Sequence, residues 1–460
     1  MTPSSHLTTR DPARRAAADV ALAVDRDGAY ANLLLPRLLR ERSISGTDAA
    51  FATELTYGML RRCGVLDAVI SAGAKRDAAS LDPAVRAVLR LGAYQLLHTR
   101  VPPHAAVSST VDLSREVAGP RPAGLVNAVL RRVAERDWAG WVEQLAPADD
   151  PLGRLAFERG FPRWVAAALL EALDGDLAEL DLALAEQRPS THLVARPGRI
   201  SREALLAAAG PDATSGPWSP YAVRLASGDP AGLAAIRDRR AGVQDEGSQL
   251  VALALARAPL EGRDDWWLDA CAGPGGKASL LAGLLSDGAR LLASDLAPHR
   301  AALVRRSLTR ASSVPVVVAD ATRPPWRDAS LDRVLVDAPC TGLGALRRRP
   351  EVRWRRQPDD AARLQGVQLA LLAAAVDAVR VGGLVAYATC SPHRAETVAV
   401  IGSTLRSRAD VEAVDARPLL PGVPSLGDGP FVQLWPHRHG TDAMFVAILR
   451  RTAAGERPTA

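Results

Sequence analysis

The sequence predicts a multidomain chain: an all-helical N-terminal domain, then a small α/β subdomain, then a larger α/β domain whose parallel sheet carries helices on both faces. Three observations predict it. Over the first 140 residues apolar side chains recur at helical spacing, and no strand-like alternation competes. From Gly242 onward the pattern changes to strand, turn and helix, repeated, which is how a parallel sheet reads. At 460 residues with 48% hydrophobic side chains, the chain is too long for one core and apolar enough to fill several.

In the first domain, residues 1–140, helices are expected over 14–26, 30–42, 49–63, 84–98, 108–117 and 125–135. They are punctuated at Gly28, Asp82-Pro83, Val101-Pro102-Pro103 and Gly119-Pro120. Residues 141–160 lack a period and contain Pro147, Asp149-Asp150-Pro151 and Gly153, so they read as a linker. Residues 161–241 mix a helix (161–173) with short strands (193–196 and 221–225), a small α/β subdomain. The last domain, 242–460, has strands over 266–269, 289–294, 314–319, 333–336 and 384–389. Helices fall over 277–285, 298–310, 359–379 and 394–406, and 431–435 with 443–449 form a closing hairpin without a helix between. In such sheets ligands bind beyond the carboxyl ends of the strands.

Charge and composition narrow the function. No apolar run approaches the roughly 18 residues of a membrane span, and the N-terminus does not resemble a signal peptide. A cytoplasmic protein without membrane contact is expected. The chain has only two lysines, Lys75 and Lys277. Residues 1–140 hold 19 Lys+Arg against 14 Asp+Glu, which is most of the net +6 and consistent with a polyanionic partner. The cysteines Cys63, Cys271, Cys340 and Cys390 form no Cys-x-x-Cys pair, so neither a zinc site nor a disulfide framework is expected. Three of them nevertheless sit in turns after predicted strands.

The first strand ends Asp269-Ala270-Cys271-Ala272-Gly273-Pro274-Gly275-Gly276-Lys277 and runs into a helix. Glycines there let backbone approach a ligand, and a new helix offers unpaired N–H groups. A Walker loop is excluded, because Cys271 stands where its first glycine is required and Ala278 follows the lysine. Gly273-x-Gly275-x-x-Ala278 fits the nucleotide fingerprint in its Gly/Ala form, with Asp295 ending strand two at ribose distance. The loop thus implies a nucleoside-containing cofactor without separating NAD from S-adenosylmethionine. Asp320 and Asp337 end strands three and four. Asp337-Ala338-Pro339-Cys340-Thr341-Gly342 follows strand four, and Thr389-Cys390-Ser391-Pro392 follows strand five; as neighbouring strands they are expected to turn both thiols toward one crevice.

A nucleoside cofactor beside two thiols fits methylation of pyrimidine carbon 5. That carbon becomes nucleophilic only after a thiolate adds to carbon 6, and a second acid/base group resolves the adduct. Lys277 is positioned to favour a thiolate. After the Cys340 turn comes Arg347-Arg348-Arg349-Pro350-Glu351-Val352-Arg353-Trp354-Arg355-Arg356, whose arginines and tryptophan suit phosphates and a stacked base.

These residues resemble the Sun family of RNA cytosine-C5 methyltransferases, the bacterial small-subunit ribosomal RNA enzymes in particular. The matching motifs are Asp269 to Lys277, Asp337 to Gly344 with Arg348, Pro350 and Trp354, and Thr389-Cys390-Ser391. Val243-Gln244-Asp245 with Ser248-Gln249 is similar to the family's entry to the catalytic domain. The helical domain, with Gly28-Ala29-Tyr30-Ala31-Asn32, resembles the NusB-like RNA-binding domain of one branch. The resemblance implies a Rossmann-like class I methyltransferase domain. It implies that Cys271, Ala272, Gly273, Pro274, Gly275, Gly276, Lys277, Asp295, Asp320 and Asp337 hold S-adenosylmethionine, that Cys390 is the nucleophile and that Cys340 assists product release. The implied partner is RNA, ribosomal RNA foremost, bound by a monomer without a metal. Arg347, Arg348, Arg349, Arg353, Trp354, Arg355 and Arg356 are the RNA-contact candidates. The sequence departs from the pattern at Gly273 (usually alanine), Thr341 (usually serine) and Met444 (usually phenylalanine). In Pro392-His393-Arg394-Ala395-Glu396-Thr397 it lacks the customary second acid and asparagine. Two competing readings are an NAD-dependent oxidoreductase, which leaves the two thiols unexplained, and a non-catalytic RNA-binding or assembly factor, which leaves the cofactor loop unexplained.

Overall fold

The computed structural model describes residues 11–185, 189–226, 228–308 and 314–453, in two compact units. The first comprises the described chain up to residue 185 together with Arg348–Gln357; the second comprises the rest.

The first unit is helical throughout: Pro12–Asp27, Ala31–Glu41, Gly46–Ala74, Pro83–His98, Pro103–Val117 and Ala123–Val133, then Trp138–Leu145, Pro151–Arg159, Arg163–Ala172 and Leu177–Leu184. Three of these helices begin with the same device. Asp11, Asp82 and Asp150 each accept a backbone N–H of the first turn, while Pro12, Pro83 and Pro151 fill the first helical position, where no N–H is needed. Asp149-Asp150-Pro151 is therefore a helix start, and the linker expected over 141–160 is replaced by helices. The helical unit runs on past residue 160, so the small subdomain starts later than 161, with its first strand at Thr191. Gly46–Ala74 is a single 29-residue helix where a much shorter one was expected. Buried alanines of Pro12–Asp27 (Ala17, Ala18, Ala21) let it pack closely on Gly46–Ala74 and Pro83–His98, whose Leu55, Leu66 and Leu89 share its core.

The second unit holds two sheets. The smaller has Thr214–Ser215, Ala222–Leu225, Thr191–Ala195 and Ala241–Val243 in that order, all antiparallel. The larger contains β1 (Trp266–Asp269), β2 (Arg290–Asp295), β3 (Val316–Val318), β4 (Leu331–Asp337), β5 (Val379–Thr389), β6 (Val411–Val414), β7 (Val432–Gln433) and β8 (Phe445–Arg451). Its order is β6-β8-β5-β4-β1-β2-β3, with β7 paired to β8. β3, β2, β1, β4 and β5 run parallel, and β8 pairs antiparallel with β5, β6 and β7. The β7–β8 hairpin is present, but one helical turn, Pro436–His439, interrupts it. β6 was not foreseen.

Register fixes the site. Asp269 lies opposite Leu335 of β4 and Ala293 of β2, and Asp337 lies opposite Ala388 of β5. The carboxyl ends of β2, β1, β4 and β5 are thus neighbours along one edge of the sheet. Burial on both faces explains the continuous apolar runs: Val334, Leu335 and Val336 are wholly buried, as are Leu384, Ala386 and Tyr387.

Candidate active site

The loop after β1 is shaped by β2. The Ala272 N–H donates to the Ser294 carbonyl (2.8 Å) and the Gly273 N–H to Asp295 Oδ2 (2.9 Å). Arg300 closes the arrangement, donating from Nε to Asp295 Oδ2 (3.0 Å) and from Nη2 to the Gly273 carbonyl (2.6 Å). Gly275 starts the helix Gly276–Leu284 at φ 108°, and a Cβ there would lie 2.0 Å from Ser307 Oγ, so no other residue fits. Asp295 is buried and also accepts the Ala297 N–H (2.9 Å). Asp320 is placed differently: it is exposed, and its carboxylate accepts the N–H and the hydroxyl of Thr322 at 2.9 and 2.7 Å.

Beneath the loop lies a buried charge cluster. Lys277 Nζ contacts Asp337 Oδ2 at 2.7 Å. Burial works against the Lys277 ammonium, but Asp337, Cys390 and Asp269 outweigh it and raise its pKa. Asp269 is wholly buried and neither carboxylate oxygen makes a well-formed hydrogen bond; only the Cys271 N–H and the Lys277 ammonium favour its charged form. Burial, then the charge of Asp337, pushes its pKa up to about 7. The same acid-at-strand-end rule that singled out Asp295, Asp320 and Asp337 applies to Asp269, which went unnoticed within its motif.

Cys340 and Cys390 come together, with Sγ atoms 3.4 Å apart. They are not equivalent. The hydrogen bond from Cys340 lowers the Cys390 pKa, aided by Lys277 and opposed by burial and Asp337. Cys340 moves the other way, held protonated by its bond to Cys390, by burial and by the charges of Cys390 and Glu396. The lysine on one side and the glutamate on the other bias the pair in one sense, favouring ionisation at Cys390 and opposing it at Cys340. Cys271 stands apart, its pKa pushed up by burial and by Asp269, Asp337 and Asp295.

Two buried carboxylates that the sequence did not single out support the turns. Asp442 accepts from Arg347 Nε (2.7 Å), while Arg347 Nη2 reaches Asp245 Oδ2 (2.9 Å). Glu396, described below, sits behind Cys340.

The arginine run is a correction. Arg347 is spent on Asp245 and Asp442. Arg353, buried, donates to the carbonyls of Gly160 (2.9 Å) and Arg61 (3.1 Å) over the Phe161 ring. Trp354 donates to the Arg61 carbonyl (3.1 Å), and Arg355 bonds the carbonyls of Val24, Gly28 and Ala29. Arg349 lies over Tyr30, and Arg348 and Arg356 have partners as well. Carbonyls left over near helix C-termini, such as Val24 and Gly160, attract guanidinium groups, so Arg353 and Arg355 tie the stretch to the helical unit, while Arg349 stays exposed.

Among the described residues no group of His, Cys, Asp and Glu is arranged to hold a metal, and no helix is long and apolar enough to cross a membrane.

The chain matches the family model described as 16S rRNA methyltransferase RsmB/F over residues 255–450, and that of the NusB family over residues 11–135. It is 54% identical to a putative methyltransferase of Mycobacterium tuberculosis, over 98% of this chain and 100% of that protein. It is 30% identical to a probable ribosomal RNA small subunit methyltransferase B of Bacillus subtilis, over 95% of this chain and 98% of that one. The crystal structure of PH0851 shares the fold, with a TM-score of 0.82 at 21% identity, covering 96% of this chain and 99% of the other.

Proposed function

Because the chain belongs to the RsmB/F family of S-adenosylmethionine-dependent ribosomal RNA methyltransferases, we propose that it methylates carbon 5 of a cytosine in small-subunit ribosomal RNA through a covalent bond from Cys390. The observation that carries this reading is the pair of thiols, with Sγ atoms 3.4 Å apart just after the neighbouring strands β4 and β5.

The residues of the loop fit the cofactor. Glycine backbone at 273, 275 and 276 permits close approach, Asp295 Oδ1 keeps one acceptor site for a ribose hydroxyl, and the buried carboxylate of Asp269 suits an ammonium such as that of an amino acid. S-adenosylmethionine, when bound, supplies the electrophilic methyl carbon. Cys390 acts first: its thiolate pair forms a bond to carbon 6 and the ring electrons shift onto carbon 5, making it a nucleophile. After methylation the carbon 5 proton leaves to a base, its electron pair restores the ring double bond, and the carbon 6–sulfur bond breaks, returning the pair to Cys390. Cys340, whose sulfur lies 3.4 Å from that of Cys390, donates its S–H to the departing thiolate and stabilises it. An oxidoreductase reading gives neither thiol a task.

The test is the behaviour of the two cysteine variants on unmodified 16S rRNA transcribed in vitro. Cys390→Ala is expected to give neither product nor covalent complex. Cys340→Ala, which also removes the hydrogen bond that favours ionised Cys390, is expected to transfer the methyl group more slowly than the parent and then to stall as a protein–RNA species that survives denaturing electrophoresis. The reverse pattern would exchange the two roles, and methylation without an adduct in either variant would remove covalent catalysis.

A further inference from the structure

The segment Pro392 to Thr397, where the sequence departs from the family pattern, has no part in the mechanism above. It contains the best-bonded carboxylate near the thiols. Arg394–Glu396 forms one 3-10 turn that brings Glu396, wholly buried, behind the Cys340 turn. Its Oε1 accepts the N–H of Thr341 at 2.7 Å and Gln368 Nε2 at 3.2 Å; its Oε2 accepts the Thr341 hydroxyl in a short hydrogen bond. Gln368 Nε2 also reaches the Pro339 carbonyl at 2.9 Å. Both chain neighbours of Cys340 are therefore tied to Glu396, one directly and one through Gln368. Thr341 Oγ1 in turn lies 3.1 Å from Ser391 Oγ, next to Cys390. An acceptor at Oε2 fixes the sense of this chain, with Thr341 donating to Glu396 and accepting from Ser391.

We propose that Glu396 is a positioning residue for the release half of the reaction, holding the Cys340 turn in register with Cys390. The inference rests on the assignment of Cys390 as nucleophile and Cys340 as release group. It concerns release rather than attack because the two sulfurs are anchored differently. Cys390 follows β5, a central strand bonded on both sides, and its carbonyl accepts the Gly344 N–H at 2.9 Å. Cys340 lies in a turn whose side-chain ties converge on one carboxylate. Without Glu396 the Cys340 sulfur loses its place first, while Cys390 remains able to add to the base. The negative charge of Glu396 also helps keep the Cys340 S–H protonated for donation.

The experiment uses the full chain, radiolabelled S-adenosylmethionine and unmodified 16S rRNA. For Glu396→Ala, cofactor affinity is expected to stay within about twofold of the parent, and the first round of methyl transfer, slowed where Cys340 no longer supports the ionised Cys390, is expected to fall less than steady-state turnover. Steady-state turnover falls about 10- to 100-fold, the range that a displacement of about 1 Å produces, and a denaturation-resistant protein–RNA adduct accumulates. Glu396→Gln keeps the acceptor for the Thr341 N–H and is expected to fall between the two, a graded response that simple unfolding does not give. Thr341→Val removes the hydroxyl link with little change of shape and is expected to accumulate adduct as well, which keeps the test open if Glu396→Ala does not fold. Loss of first-round transfer, or slow turnover with no adduct in any of these variants, overturns the proposal. Cys340→Ala run in parallel separates the failures: no adduct there sinks the assignment of the cysteines, whereas an adduct there and none in the Glu396 and Thr341 variants sinks this inference alone.

Discussion

Asp269 shows what burying a single carboxyl without a well-formed hydrogen bond costs. With a pKa of about 7 in the folded chain against an ordinary 3.8, it keeps its proton at pH values where the unfolded chain has lost it. The folded state therefore binds more protons between these values, and stability falls as pH rises from about 4 to about 7, by up to about 4 kcal/mol for this one group. Asp269→Asn is expected to abolish that portion of the slope in denaturant titrations of the cofactor-free protein, and to be more stable than the parent at pH 8. A cationic group of the cofactor reverses the preference, so binding at pH 6 is expected to release close to one proton, and at pH 8 almost none. Calorimetry in buffers of different ionisation enthalpy reads this directly. Asp269→Asn is expected to bind the cofactor more weakly by about 1.5–3 kcal/mol, the worth of a charged hydrogen bond, with no proton release. Equal proton release in the variant would assign the titration to another group.

At the scale of elements, the helix Gly46–Ala74 and the segment Arg348–Gln357 belong to one unit although nearly 300 residues separate them. Gly64 makes their contact possible: a Cβ there would stand 2.1 Å from Trp354 Cζ3. An alanine in mid-helix ordinarily stabilises by about 0.5–1 kcal/mol over glycine. Here the indole has to move, and Gly64→Ala is expected to destabilise by about 1–3 kcal/mol, the cost of overpacking. In a Trp354→Ala background the same change is expected to regain its helix benefit. Urea unfolding of the two single variants and the double variant measures that coupling, and additive behaviour would contradict the packing. This contact also marks the limit of what the sequence carries. Strands β1, β2, β4 and β5, the glycine loop and the convergence of the two cysteines follow from local pattern and strand adjacency. The roles of Arg353 and Trp354 do not, because a run of arginines reads alike whether it faces solvent or folds back onto carbonyls. Gln368 and Asp442 carried no local signal either. Each matters through what long-range packing sets beside it. Asp150-Pro151, by contrast, is a local cap signal, and only the missing apolar period around it makes it look like a break.

For the whole molecule, discontinuity is what hid the boundaries. A unit built from the described chain up to residue 185 plus Arg348–Gln357 has no single compositional edge, so reading domains as consecutive blocks misplaced the linker and the small subdomain. It also changes how the RNA partner is tested. Removing residues 1–140 would strip the packing from Trp354, so weaker RNA binding by such a truncation would not report charge. Charge is better probed in place. The first 140 residues carry most of the net +6, and Arg353 and Arg355 of the 348–357 segment are bonded to backbone carbonyls, so the helices and turns of the first 140 residues are the place to probe for a phosphate-facing surface. Arg100, Arg121 and Arg131 are exposed there, and no carboxylate pairs with any of them among the described residues. Each phosphate neutralised by such a group releases counterions and adds about 0.7 to 0.9 to the log–log dependence of affinity on salt. Replacing all three by glutamine is expected to flatten the slope for 16S rRNA binding by up to about 2 to 2.7 on that scale, and to leave S-adenosylmethionine affinity as it is. The paired surface residue Arg417, bonded to Asp415, is the control, and its replacement by glutamine is expected to leave the slope unchanged. If the triple variant keeps the parent slope while the protein still binds the RNA, the excess charge of the helical unit does not face phosphate.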